Sequence, residues 1–222
     1  MKIALIGATG FVGTAVLAET LQRGHAVTAL ARDPERWREK LPAHAALRVV
    51  QADAMRTERV ATAISGHDAV VSAFNPGWGV SDVYGDFLRG HRAIVDAAAN
   101  TPGARLLVVG GAGSLFVAPG VQLVDTPEFA TQVPPFVLPG SRAARDALRE
   151  LQSHPTLDWT FLSPPAQLAP GERTGRYRRG GDVLLMDGDR PAGISVADLA
   201  VALVDEIETP QHRRSRFTVA SA

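Results

Sequence analysis

The chain has 222 residues, 45% of them hydrophobic, which is enough for one domain with a full apolar core. Its 23 basic and 23 acidic side chains cancel, so no excess positive field exists to hold a phosphate backbone, which argues against nucleic-acid partners. Cysteine is absent, removing disulfides, thiolate metal sites and thiol nucleophiles together. The basic total divides unevenly into 21 arginines and two lysines, Lys2 and Lys40. Any chemistry needing an active-site lysine has only those two positions to draw on. No 18-residue apolar stretch and no secretory-signal pattern occurs, so no membrane span and a cytoplasmic location are expected.

Short, nearly continuous apolar runs at residues 3–6, 26–31, 47–50, 69–74 and 106–109 alternate with helical patterns. The helices are expected over residues 13–23, 34–41, 57–64, 83–99 and 141–153, with Pro34 in a first turn and Ser81 or Asp82 as a cap. Continuous rather than alternating runs suit strands buried on both faces. The alternation predicts an α/β fold, a Rossmann-type doubly wound parallel sheet with helices on both faces. In the last third, strands are expected at 159–162, 176–179, 183–186 and 217–219, and a helix at 196–207. The whole chain reads as one domain. Residues 1–155 form its cofactor-binding core, and residues 156–222 a small C-terminal substrate lobe.

Gly7-Ala8-Thr9-Gly10-Phe11-Val12-Gly13 follows the first strand and opens the first helix. In that context Gly7 permits a tight turn, Gly10 lets the backbone approach a pyrophosphate, and Gly13 lets the helix pack closely on the strand. Amides at the helix N-terminus then face the anion, with Thr9, Phe11 and Val12 beside it. After the second strand comes Ala31-Arg32-Asp33-Pro34. A carboxylate at the strand end would favour NAD; Ala31 stands there instead, and the planar fork of Arg32 suits a 2′-phosphate. NADP is therefore expected over NAD, unless Arg32 is simply solvated. Asp33 can cap the next helix, and Arg36 and Arg38 can thicken the positive rim or be ordinary helix surface.

The Gly-x-x-Gly-x-x-Gly spacing, Gln51-Ala52-Asp53-Ala54, the segment 158–164 and Ile194-Ser195-Val196-Ala197-Asp198-Leu199 together resemble one family. It is the atypical short-chain dehydrogenase/reductases, in the epimerase-related, NmrA-like and biliverdin reductase B-like group, and the likeness spans nearly the whole chain. The resemblance implies that Asp53, with Ala54, lies near the adenine amino group. It also implies that Phe74 and Asn75 pass the nicotinamide ribose and that Pro164 runs past the carboxamide. Asn75-Pro76-Gly77 is equally good turn chemistry.

Most catalytic members of the wider superfamily that this chain resembles carry Tyr-x-x-x-Lys. Here the tyrosines are Tyr84 and Tyr177, and four positions later stand Leu88 and Gly181. The matching helix reads Ser141-Arg142-Ala143-Ala144-Arg145; Arg145 can mimic the lysine's charge, but no phenol is expected for it to activate. The remaining candidates for catalysis are Ser114, which either faces the substrate or stabilises a turn, and Tyr84 as proton donor. A positioned donor contributes about 100- to 10,000-fold to reactions that build an alkoxide. Its loss favours an acceptor that spreads the incoming charge. The expected activity is NADPH-dependent reduction of a small flavin-, quinone- or bilin-like molecule. The alternatives are a non-catalytic NADP(H) redox sensor and an NAD-dependent sugar-nucleotide epimerase or dehydratase.

No histidine pair has metal-ligand spacing, so no metal is expected, and His91 reads as a packed or solvated residue. Arg173, Arg176, Arg178 and Arg179 either attract an anionic substrate or form a solvated edge. Residues 112–140 hold five prolines and little periodicity, as a lid or binding loop would. Phe116, Phe129, Phe136 and Trp78 either wall a flat substrate or anchor that loop. The expected assembly is a monomer or homodimer.

Overall fold

The apolar runs become the strands of one eight-stranded sheet. The computed structural model describes residues 1–37 and 41–222; residues 38–40 of the expected second helix, Arg38 and Lys40 among them, lie outside the described residues. In chain order the first part comprises β1 (Lys2–Ile6), α1 (Phe11–Gln22), β2 (Ala26–Ala31), α2 (Pro34–Trp37), β3 (Leu47–Gln51), α3 (Thr57–Ile64), β4 (Ala69–Ser72), α4 (Val83–Ala99) and β5 (Arg105–Val109). The connection that follows holds a hairpin, β6 (Phe116–Ala118) and β7 (Val121–Gln122), then α5 (Pro127–Gln132) and α6 (Leu138–Gln152). The last third comprises β8 (Trp159–Ser163), β9 (Gln167–Ala169), β10 (Tyr177–Gly180), β11 (Met186–Asp187), β12 (Arg190–Pro191), β13 (Gly193–Ser195), α7 (Val196–Glu208) and β14 (Ser215–Ser221).

The sheet order is β10-β14-β8-β5-β4-β1-β2-β3. Seven strands are parallel and only β10, at one edge, is antiparallel. Helices α1 and α7 cover one face, and α3, α4 and α6 the other. This is the expected doubly wound Rossmann-type arrangement. The chain runs outward from β1 through β2 to β3, then restarts at β4 on the other side. That reversal opens a crevice at the carboxyl ends of β1 and β4, where such folds bind ligands.

The C-terminal third adds β8, β14 and β10 to the main sheet. Its other strands form short pairs, β9 with β13 and β11 with β12. The strand expected at 183–186 is instead a bridge from Val183 to Phe116 followed by the small β11–β12 pair.

At the opposite end of the sheet a buried ion pair ties β5 to the end of α7. Arg105 donates from Nη2 to Glu206 Oε1 at 2.6 Å and to Thr160 Oγ1 at 2.5 Å, and from Nη1 to the Glu206 carbonyl at 2.7 Å. Glu206 also accepts from the backbone amides of Gln211 and His212, while His212 Nδ1 stands 2.8 Å from its Oε2. Burial opposes the charged carboxylate, yet these hydrogen bonds from His212 and Arg105 hold its pKa below an ordinary glutamate's 4.5. The stabilisation is complete above about pH 4.5 and is lost as pH falls through the lower folded value. Glu206→Ala strands a buried guanidinium, and a loss of about 3 to 5 kcal/mol is expected. A urea titration at pH 7 measures it; a loss below 1 kcal/mol rules out a structural clasp.

Candidate functional site

The crevice between β1 and β4 is shaped first by what glycine lacks. At Gly7, φ is +84°, and an added Cβ would overlap the Ala73 carbonyl just beyond β4. At Gly13 a Cβ would collide with the Gly7 carbonyl and reach 3.0 Å from Ala8 Cα. Both positions therefore serve close backbone packing. Gly10 is different: a Cβ there would meet only the Gly7 carbonyl, at 3.4 Å. Gly10 caps α1 without any side-chain hydrogen bond, leaving the first-turn N–H groups and the helix dipole available to an anion.

From that turn a cavity of about 460 Å³ runs across the strand ends. Gly7, Thr9, Arg32, Ala54, Phe74 and Asn75 line it, together with Ile6, Leu30, Ala31, Asp33, Arg36, Trp37 and Ala52. Half of the expected cofactor residues are thus brought to one wall. Gly10, Phe11, Val12 and Gly13 belong to the turn and first helical turn beside it, while Asp53 and Pro164 stand off the lining. The carboxylate of Asp53 accepts from the Met55 amide at 3.0 Å, and Pro164 is buried at the end of β8. Trp37 and Ala52 escape sequence reasoning; the signal for Trp37 is a lone aromatic in the turn of helix that follows Arg32-Asp33-Pro34.

Arg32 is exposed on the cavity rim, with no ion-pair partner among the described residues. Asp33 accepts from the Arg36 amide at 3.2 Å, so it caps α2. Asn75 Oδ1 accepts from the Gly77 amide at 2.8 Å, a turn contact, while the residue lines the cavity. An uncapped helix start, a glycine cradle and a free arginine on the rim fit the pyrophosphate and adenosine portion of a nicotinamide dinucleotide.

The expected catalytic side chains are placed differently. Ser114 is 1% exposed. Its Oγ lies 3.2 Å from Ser163 Oγ and accepts from Arg216 Nη1 at 3.2 Å, while its carbonyl accepts from Gln122 and Arg216. The hydroxyl therefore sits in a buried polar knot and not on the cavity wall. Arg216 itself is anchored by Asp182 at 2.6 Å. Tyr84, in the first turn of α4, donates from its phenol to Asp146 Oδ2 on α6 at 3.0 Å. Arg145 is clamped by Asp146 at 2.9 Å and Asp125 at 2.6 Å, so its charge is neutralised and does not stand in for a catalytic lysine. The hydrogen bond to Asp146 raises the Tyr84 pKa above the ordinary value, with partial desolvation adding to it.

His91 is buried between α4 and α6, and desolvation pushes its pKa down to about 4. Among the described residues no group of three His, Cys, Asp or Glu could hold a metal, and no helix is long and apolar enough to cross a membrane. In the C-terminal arginine cluster, Arg173 pairs with buried Glu19 at 2.6 Å, Arg178 with Asp187, and Arg179 with Gln211 and Tyr177. Three of the four are thereby engaged by the protein itself.

Fold and cavity together define an NAD(P)-binding protein of the atypical short-chain dehydrogenase/reductase type. Residues 7–210 match the NAD(P)H-binding family, and the chain belongs to it. The uncharacterized Bacillus subtilis protein YwnB is 40% identical over 224 residues, covering 100% of this chain and 99% of that protein. A Bacteroides thetaiotaomicron structure, provisionally named an epimerase, is 42% identical with a TM-score of 0.88, covering 99% of this chain and 96% of its own. A Streptococcus pneumoniae structure, provisionally named an NADH-flavin reductase, is 33% identical with a TM-score of 0.85 over 100% of both chains.

Gly10→Ala is expected to fold with a nearly unchanged melting temperature yet lose about tenfold or more in dinucleotide affinity, because its Cβ occupies anion space. Gly13→Ala is expected to lose stability first, since the collision is with backbone. Calorimetric titration with NADPH alongside thermal melts separates the two. Equal affinity for Gly10→Ala and wild type would place the pyrophosphate elsewhere.

Proposed function

We propose that the protein is an NADPH-dependent oxidoreductase that reduces a small conjugated acceptor of the flavin, quinone or bilin type. The observation that carries the reading is the state of Tyr84 and Arg145. Asp146 sits between them, so the phenol is held as a poorer acid and the guanidinium is already paired. A ketone or an unactivated alcohol needs a positioned acid or base; a conjugated acceptor spreads the charge and takes its proton from water. The S. pneumoniae relative's name agrees with a flavin acceptor, while it gives NADH as the donor. The epimerase name of the B. thetaiotaomicron relative implies proton chemistry on an alcohol that this pair is badly set to perform.

When bound, the dinucleotide supplies a hydride, which carries two electrons to the acceptor. In this reading residues 1–155 hold the cofactor and residues 156–222 contribute to the acceptor side, even though β8 and β14 complete the common sheet. Arg32 takes the 2′-phosphate, the α1 N-terminus takes the pyrophosphate, Asp53 and Ala54 flank the adenine, Asn75 meets the ribose and Pro164 borders the carboxamide. A cytoplasmic location and a monomer or homodimer belong to the same reading.

The test is oxidation of NADPH, with NADH as the paired control, across a panel of flavins, quinones and bilins. Turnover with at least one acceptor is the expected result. Tight binding with no turnover across the panel defeats it in favour of a redox sensor. Arg32→Ala is expected to raise the KM for NADPH about 10- to 100-fold, the worth of a charge-assisted phosphate contact, with little change for NADH. Equal changes for both nucleotides would defeat the NADP preference. Tyr84→Phe is expected to keep kcat far inside the roughly 100-fold loss that marks removal of a catalytic proton donor. Steady-state kinetics with the best acceptor decide the point, and a larger loss makes Tyr84 the donor.

A further inference from the structure

Four aromatic side chains are more than a third exposed: Phe11 at 52%, Trp78 at 48%, Tyr84 at 39% and Phe136 at 55%. Exposed rings scattered singly need no explanation, but an exposed group gathered in one place marks a binding surface. These four lie toward one end of the sheet: Phe11 opens α1 beyond β1, Trp78 and Tyr84 follow β4, and Phe136 stands two residues before α6.

Two of them touch. Trp78 and Phe136 meet edge to face, with centroids 6.0 Å apart and planes at 67°. The indole reaches there because Gly140, in the first turn of α6, leaves room for it: an added Cβ would come within 2.9 Å of Trp78 Cζ3. Gly77, at φ +104°, turns the chain just before it. Trp78 also lies only three residues past Asn75, which lines the dinucleotide cavity. One loop thus runs from the cofactor wall to an exposed aromatic pair at the same end of the sheet.

We propose that Trp78, braced by Phe136, is the stacking platform that receives the planar acceptor and sets its specificity. The inference rests on the reductase reading. It adds an occupant that the exposed rings suit: a flat conjugated ring system held by offset or edge contacts, with little demand for hydrogen bonds. Trp78 is then a specificity-determining residue in contact with substrate, while Tyr84, tied to Asp146, borders the platform.

The experiment uses the full chain and riboflavin, a planar ring system without a phosphate. Binding is read by quenching of flavin fluorescence in the presence of NADP+, and turnover by NADPH oxidation. Trp78→Ala is expected to weaken riboflavin binding and raise the acceptor KM, each about tenfold or more, as loss of a stacking ring does. The KM for NADPH should stay within about twofold, because Trp78 is not part of the cofactor wall. Trp78→Phe should recover most of the binding, and Phe136→Ala should show a smaller loss. Phe136 is exposed, so that variant keeps the test valid if Trp78→Ala folds poorly.

Riboflavin binding unchanged in both alanine variants overturns the platform, as does no riboflavin binding by wild type. A shift from dimer to monomer in the variants, with riboflavin binding intact, makes the patch a contact between two copies and overturns it too. Wild type that binds riboflavin through Trp78 but never oxidises NADPH defeats the reductase reading and leaves the platform standing.

Discussion

Where β1 leaves the sheet, backbone meets backbone with no clearance for a side chain. The Gly7 carbonyl occupies the space that a residue larger than glycine at position 13 would need, and the Ala73 carbonyl occupies the space beside Gly7. This packing fixes α1 against β1 and draws the end of β4 into the same knot. Its direct result is directional: the uncapped start of α1 points along the crevice and not into solvent at random. The lining from Gly7 through Arg32 to Asn75 follows from that geometry, because each lies just beyond the end of a strand held in register with β1.

The parts of the fold that are legible in the sequence are those with local causes. The helices over 57–64 and 83–99 match the expected bounds, since an apolar stripe defines each and Asp82 caps the second. The start of α6 lies three residues before the expected one, because Pro139 reads as a breaker although it sits in the first helical turn, where a missing N–H costs nothing. The fourth strand ends at Ser72, two residues short, since Ala73 turns under Gly7 and the Phe74 ring fills the space left by Gly90. Within 112–140 the short hairpin β6–β7 has no periodicity to read. Helix α5, capped by Thr126 and opened by Pro127, carries a start signal hidden among the prolines.

The site divides in the same way. Its glycine turn is a contiguous motif and was readable. The relation of Tyr84 to Arg145 is not, because it passes through Asp146 between two helices 61 positions apart, and no spacing rule along one helix reports it. The structure also changes the meaning of the missing lysine. A cation beside a phenol lowers its pKa and makes it an acid; a carboxylate accepting its proton does the reverse. Around Tyr84 the partner that decides its acidity is a carboxylate, not a cation.

The near-absence of lysine has a consequence for how the molecule answers to alkali. Among the described residues its buried and half-buried cations include Arg23 among Glu19, Asp205 and Glu208, Arg105 on Glu206, Arg145 on Asp125 and Asp146, and Arg216 on Asp182, all of them guanidinium groups. A guanidinium does not surrender its proton at any pH a folded protein meets. Of the carboxylates facing them, Glu19 and Glu206 are held below the ordinary glutamate value by their hydrogen bonds, so rising pH leaves both charged. Acid is the direction in which this ionic framework is vulnerable.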